Sequence, residues 1–115
     1  MTIKRCESGP LLSQAVVHGD TIYLSGKVPK DRSLDIKGQT RQILDDIERT
    51  LSALGSDKSK ILTATIWLKS IGDRDAMNEV WLAWVDKDNL PARACVEAAL
   101  ANPDILVEIM VTAAV

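Results

Sequence analysis

Phenylalanine is absent from this 115-residue sequence, tyrosine and histidine occur once each, and three tryptophans complete the aromatic complement. A core of this composition must be filled by Ile, Leu, Val and Ala, and a nucleic-acid reader would lack the platforms on which bases stack. Charge of one sign is equally scarce. Fourteen Lys and Arg against sixteen Asp and Glu leave a net −2, with no basic block. Phosphate backbones find little electrostatic support here, which argues against nucleic acid as a partner. Cys6 and Cys95 are the only cysteines, too few for a disulfide framework and without the C-x-x-C or H-x-x-x-H spacing of a zinc site. With His18 the sole histidine, in a turn, no Ser–His–acid triad is assembled, and we read it as a surface residue. Neither G-x-G-x-x-G nor G-K-[ST] occurs, so no dinucleotide or P-loop nucleotide is indicated. Long apolar runs are missing too. Ile105 to Val115 contains Glu108 and is far short of the roughly 20 residues that span a bilayer. The first ten residues, MTIKRCESGP, carry Lys4, Arg5 and Glu7 in place of a signal-peptide apolar stretch. A cytoplasmic location with reduced thiols is the expectation.

What is present is ordinary for a globular chain: 46% hydrophobic and 26% charged residues in 12.6 kDa. One domain over 1–115 follows, able to bury about two thirds of its surface without staples. Thr2 to Cys6 reads as a short edge strand before a Ser8-Gly9-Pro10 turn. Gln14 to His18 and Thr21 to Ser25 flank Gly19-Asp20 as a hairpin. Asp35 is placed to cap a helix in which Ile36, Thr40, Ile43, Leu44, Ile47, Leu51 and Leu54 recur at three and four, with Gly55 just past its end. Arg41 with Asp45, and Asp45 with Arg49, make i,i+4 pairs on its wet side. Ile61 to Lys69 alternates as a strand, with Leu62, Ala64, Ile66 and Leu68 on one face and Ile61, Thr63, Thr65 and Trp67 on the other. Asp73 is a second cap, before an amphipathic helix of Met77, Val80, Trp81, Trp84 and Val85.

Ala92 to Ala101 favours helix by propensity and strand by alternation, and its pattern does not decide between them. After the Asn102-Pro103-Asp104 turn, Leu106 to Val115 is an apolar, β-branched strand. The sum is an α+β sandwich with two helices on one face of a sheet. Thr, Trp, Ile and Val on the other face predict that it is buried between subunits.

Two residues stand out chemically. Glu108, inside LVEIMV, costs several kcal/mol unless it is solvated, paired or hydrogen-bonded, which makes it either an edge or structural-pair residue or a pocket acid that moves protons. Arg93 carries the planar donor fork that captures carboxylates, and antiparallel pairing of its segment with the last strand across Asn102 to Asp104 would bring the two together.

The run Pro91-Ala92-Arg93-Ala94-Cys95-Val96-Glu97-Ala98, followed by Val107-Glu108-Ile109, resembles the signature of the reactive intermediate deaminase family, also called Rid, YjgF or L-PSP endoribonuclease-like. The likeness continues in Leu24-Ser25-Gly26-Lys27-Val28-Pro29, Gln42-Ile43-Leu44-Asp45-Asp46-Ile47, Thr63 to Lys69 and Asn78-Glu79-Val80-Trp81, and covers nearly the whole chain. It implies a single Rid-type domain with a chorismate-mutase-like fold, a mixed six-stranded sheet carrying two helices, assembled as a homotrimer with clefts between subunits. It makes Ala92 to Ala98 a strand. The implied activity is cofactor-free hydrolysis of 2-imino or enamino acids to 2-oxo acids and ammonia. Arg93 would bind the substrate carboxylate, Cys95 and Glu108 would hold the attacking water, and Ser25, Gly26 and Asn78 would line the pocket. A non-catalytic trimer binding small carboxylates is the alternative, and RNA cleavage finds least support. One position departs from the family: Leu12, within Gly9 to Gln14, stands where founding members carry a pocket tyrosine.

Overall fold

The computed structural model describes residues 1–115. In chain order its elements are β1 (Ile3–Ser8), β2 (Ser13–His18), β3 (Thr21–Leu24), α1 (Ile36–Ala53), β4 (Ile61–Leu68), α2 (Arg74–Trp84), β5 (Ala92–Glu97) and β6 (Val107–Ala114). They form one mixed sheet in the order β1-β2-β3-β6-β4-β5, with both helices on one face. Every neighbouring pair is antiparallel except β4 with β5, whose crossover is α2. β6 inserts between β3 and β4, so the strand latest in sequence is central. Val107, Ile109, Val111 and Ala113 on its helix side are accordingly buried.

α1 starts where the sequence places it, with the Asp35 carboxylate accepting the Gly38 N–H at 2.8 Å. Its end closes through Gly55, at φ 79°. The Gly55 N–H donates to the Ser52 carbonyl at 3.1 Å and the Ser56 N–H to that of Leu51 at 2.9 Å, satisfying carbonyls that the helix leaves free. Ile43, Leu44, Ile47 and Leu51 share one core cluster with Ile22, Leu24, Ile66 and Val111, and each such side chain removed from water contributes about 1.5–3 kcal/mol. On its outer side Arg49 pairs with Asp46, in place of the expected Asp45. Asp46 also lies 3.8 Å from the buried Lys27 Nζ, so one carboxylate serves two cations.

Three further expectations are corrected. Leu62 is outside the core because β4 shifts register between Ile61 and Thr63: Ile61 faces Ala113, Thr63 faces Thr112, and the bulged Leu62 is exposed. Asp73 precedes α2 without making a side-chain cap bond. The chain enters through a short 3₁₀ turn, Ile71–Asp73, whose Ile71 N–H donates instead to the Glu97 carboxylate at 2.9 Å. Finally, β5 does not pair with β6. Its segment is a strand, as the family resemblance implies, but it runs parallel to β4 and is separated from β6 by that strand.

Gln39 ties this arrangement together. Fully buried, it donates to the carbonyls of Leu34 (3.0 Å) and Asp104 (2.9 Å) and accepts from the Leu106 N–H (2.9 Å), fastening the approach to β6 onto α1. Gln39→Leu strands those backbone groups and is expected to lower stability by about 2–3 kcal/mol in urea unfolding. Two surface carboxyls, Asp31 and Asp57, are held below the usual range because each accepts from the hydroxyl and the N–H of a serine two residues on, Ser33 and Ser59. Their contribution is present above the ordinary carboxylate range and is lost as pH falls through their lowered values.

Candidate functional site

Register decides which face each side chain occupies. Glu108 stands opposite Trp67, and Trp67 opposite Val96, so these three form one row on the sheet face away from the helices. Arg93 stands beside Ala64, itself opposite Val111, on the helix face. Within one chain, the two charged residues of the candidate site therefore point to opposite sides.

Around Glu108 the backbone closes tightly. Lys27 and Ile109 exchange both hydrogen bonds, at 2.8 and 3.0 Å, and draw the preceding Gly26 onto the half-buried carboxylate. A Cβ at residue 26 would fall well inside van der Waals contact of Glu108 Oε2 and 3.1 Å from its Cδ. Glycine is required here for close approach. Ser25 donates from its hydroxyl to Gln14 Oε1 at 3.3 Å, and the Lys27 ammonium donates to the same oxygen at 3.1 Å. Lys27 is thereby turned into the protein while Gly26 stays at the surface of the site.

Around Arg93 the helix layer supplies an aromatic floor. Its guanidinium carbon lies 5.2 Å from the centroid of the Trp81 ring, which stacks at a tilt against Trp84 at 5.8 Å. Cys95, two residues along β5, shares this face and packs partly against the core as a free thiol. Asn78, one turn before Trp81, has a buried Oδ1 without a hydrogen-bond partner. The chain's ion pairs, Lys27–Asp46, Lys37–Glu79 and Arg49–Asp46, include neither Arg93 nor Glu108. A cation with exposed donors and an acid pressed on a glycine are thus both left available to a ligand.

Residues 2–115 match the family model described as Endoribonuclease L-PSP. The chain belongs to the YjgF/RutC/Rid family. Among relatives of this Rid-family chain, the RutC family protein YoaB of Escherichia coli K12 is 43% identical over 115 residues, covering 100% of both chains. A RutC family protein of Haemophilus ducreyi is 41% identical over 113 residues, 98% of this chain and 97% of its own. A crystal structure of a YjgF family member from Neisseria meningitidis superposes with a TM-score of 0.96 at 45% identity, covering 99% of this chain and 95% of that one. An uncharacterized protein from Pseudomonas aeruginosa gives 0.95 at 40%, with 98% of each covered. The α+β fold with a mixed six-stranded sheet and two helices is that of the Rid family.

Sequence reasoning singled out Arg93, Cys95, Glu108, Ser25, Gly26 and Asn78. In this Rid-family chain they separate into a Glu108 group with Gly26 and Ser25, and an Arg93 group with Cys95 and Asn78. His18 is exposed at the β2–β3 turn. Leu12 sits half-exposed in the β1–β2 connection beside a nearly fully exposed Leu11. Lys27 and Trp81, which lie within motifs of the sequence but carry no site role there, act as supports: a lysine is rarely buried, and the helical spacing of Trp81 marks it as core. The i,i+3 relation of Trp81 to Asn78 was the available signal.

Proposed function

We propose that the chain hydrolyses reactive 2-imino and enamino acids to 2-oxo acids and ammonia, at clefts formed between copies of itself. The observation that carries this reading is the pair of uncommitted charges: an exposed arginine fork on one sheet face and a half-buried acid on the other. A substrate with a carboxylate at one end and an electrophilic C=N carbon next to it needs both. Since one chain presents them on opposite faces, a complete site takes Arg93 from one copy and Glu108 from another.

The face bearing Glu108 supports such an assembly. Tyr23, Met110 and Val96 are each more than a third exposed on it, next to Thr63, Thr65 and Trp67, and β5 is the free edge beside them. Three copies arranged in a ring, each edge against the next sheet, would cover this surface and close three equivalent clefts. Light scattering on the purified protein is expected to give three times 12.6 kDa, and a stable monomer would overturn the shared site.

An enamine first tautomerises to the imine, whose carboxylate is gripped by Arg93 through paired N–H donors. Water attacks the carbon of the protonated imine, and Glu108 takes the proton that water releases. The same acid returns that proton to the carbinolamine nitrogen, and ammonia leaves as the hydroxyl closes to the carbonyl and gives its proton back to Glu108, completing the 2-oxo acid. Gly26, packed against Glu108, would offer its backbone to the substrate. Cys95 contributes polar lining; with the sole histidine elsewhere, nothing activates it as a nucleophile.

A plain carboxylate binder would use Arg93 but gain nothing from a second anion, so Glu108 favours the enzyme. RNA cleavage would need an acid–base pair that a lone exposed His18 does not provide. The test is semicarbazide trapping of imines released by an amino-acid oxidase. Adding the protein is expected to suppress semicarbazone formation, and equal trapping with and without it would refute the deaminase reading for those acids.

A further inference from the structure

We propose that Trp81 is a positioning residue for substrate binding: its indole face orients the Arg93 fork toward the substrate carboxylate. This rests on the deaminase reading for its kinetic form, though not for its binding form.

The geometry carries the argument. Arg93 projects from an edge strand, where a long side chain is free to sweep many rotamers, and no acid holds it. What it does meet is the ring of Trp81, at 5.2 Å from guanidinium carbon to centroid, within the range of cation–π attraction. Trp81 is itself held in place by its packing. It is 6% exposed and packs in the main core cluster, with Trp84 tilted against it at 5.8 Å. Trp84 is fixed in turn by an indole N–H donated to Glu48 at 2.9 Å. The chain of contacts from Glu48 through Trp84 to Trp81 is a packed shelf under an exposed cation.

A guanidinium resting on an aromatic face keeps its N–H edge directed outward, which is the edge that grips a carboxylate. Asn78, one helical turn before Trp81, brings a buried amide oxygen without a partner to the same helix. An acidic residue could also have fixed the arginine, but it would have consumed the donors and cancelled the charge that the ligand needs. An aromatic ring restrains the group and leaves both available.

The shelf therefore acts on affinity. Trp81→Leu is expected to raise KM for imino acids by about three- to thirtyfold while kcat changes by about twofold or less. Trp81→Phe, which keeps a face of weaker potential, should restore most of the loss. In an Arg93→Ala background, Trp81→Leu should raise KM no further. The same pattern is expected in the dissociation constant of 2-oxobutanoate, a product-class carboxylate, measured by calorimetry.

Unchanged KM and unchanged 2-oxobutanoate affinity in Trp81→Leu would overturn the proposal, as would an equal loss in the Arg93→Ala background. So would failure of Trp81→Phe to rescue. If Trp81→Leu does not fold, fluorinated tryptophans replace it: affinity should fall as fluorine is added in the parent protein and stay level with Arg93→Ala, and a level response in both would overturn the proposal. A parent protein that hydrolyses no imino acid refutes the deaminase reading alone, since the 2-oxobutanoate arm still decides the role of Trp81.

Discussion

Arg93→Ala is expected to lower kcat/KM for imino acid hydrolysis by a factor of about 100 to 1,000, with little change in thermal stability. The guanidinium is exposed on an edge strand and joins no ion pair within the chain. Truncating it strands no buried partner. What is lost is a charge-assisted pair of hydrogen bonds to the substrate carboxylate, each worth about 1.5–3 kcal/mol. Arg93→Lys keeps the charge but neither the fork nor the flat face on Trp81, so it should recover only a small part. Stopped assays of semicarbazone formation and a melting curve on each variant check both halves. Loss of activity together with a large drop in Tm would assign Arg93 a structural role instead.

Gly26→Ala is the second large effect, and it is expected to separate activity from folding. The added methyl meets the Glu108 carboxylate, the far end of a flexible side chain, before it meets any backbone. Rotating that carboxylate aside is cheap, so stability should fall by only about 1–3 kcal/mol. Activity should suffer far more. Displacing a proton-moving group by about 1 Å costs on the order of a hundredfold. Glu108→Gln, which keeps the shape and removes the base, should reach a similar rate without the stability loss. If Gly26→Ala retains full turnover, the contact between Gly26 and Glu108 has no catalytic meaning.

How far the sequence foretold this structure depends on what each signal measures. Caps and periodicity are local, and α1 was legible to its ends because Asp35 and Gly55 act on their own neighbours. The strands at Thr21 and Leu106 were legible for the same reason. Strand partnership is not local. In sequence Arg93 and Glu108 read as belonging to adjacent strands because their segments are consecutive, yet the connection from Ala98 to Leu106 is longer than the two to five residues of a common hairpin. That length, together with α2 between β4 and β5, was the cue to a parallel crossover. Leu62 failed for a related reason: alternation assumes an unbroken ladder, and a bulge shifts every residue on one side of it. The candidate site residues came from family resemblance, whereas their division between two faces needed the register. Trp81 was hidden because a core aromatic and a shelf beneath an arginine have the same hydrophobic spacing.

The central place of β6 has a consequence for the making of the protein. As the chain leaves the ribosome, β3 and β4 emerge with a gap between them that only the much later β6 fills. Until then each exposes an unpaired edge, the form in which strands most readily join the wrong neighbour. Bringing residues near 110 between strands near 22 and 64 also closes long loops before the contacts repay them, which slows folding. Nascent chains of this protein should therefore depend on holding chaperones until β6 is free of the exit tunnel, and Glu108, carried by β6, enters the sheet in that last step.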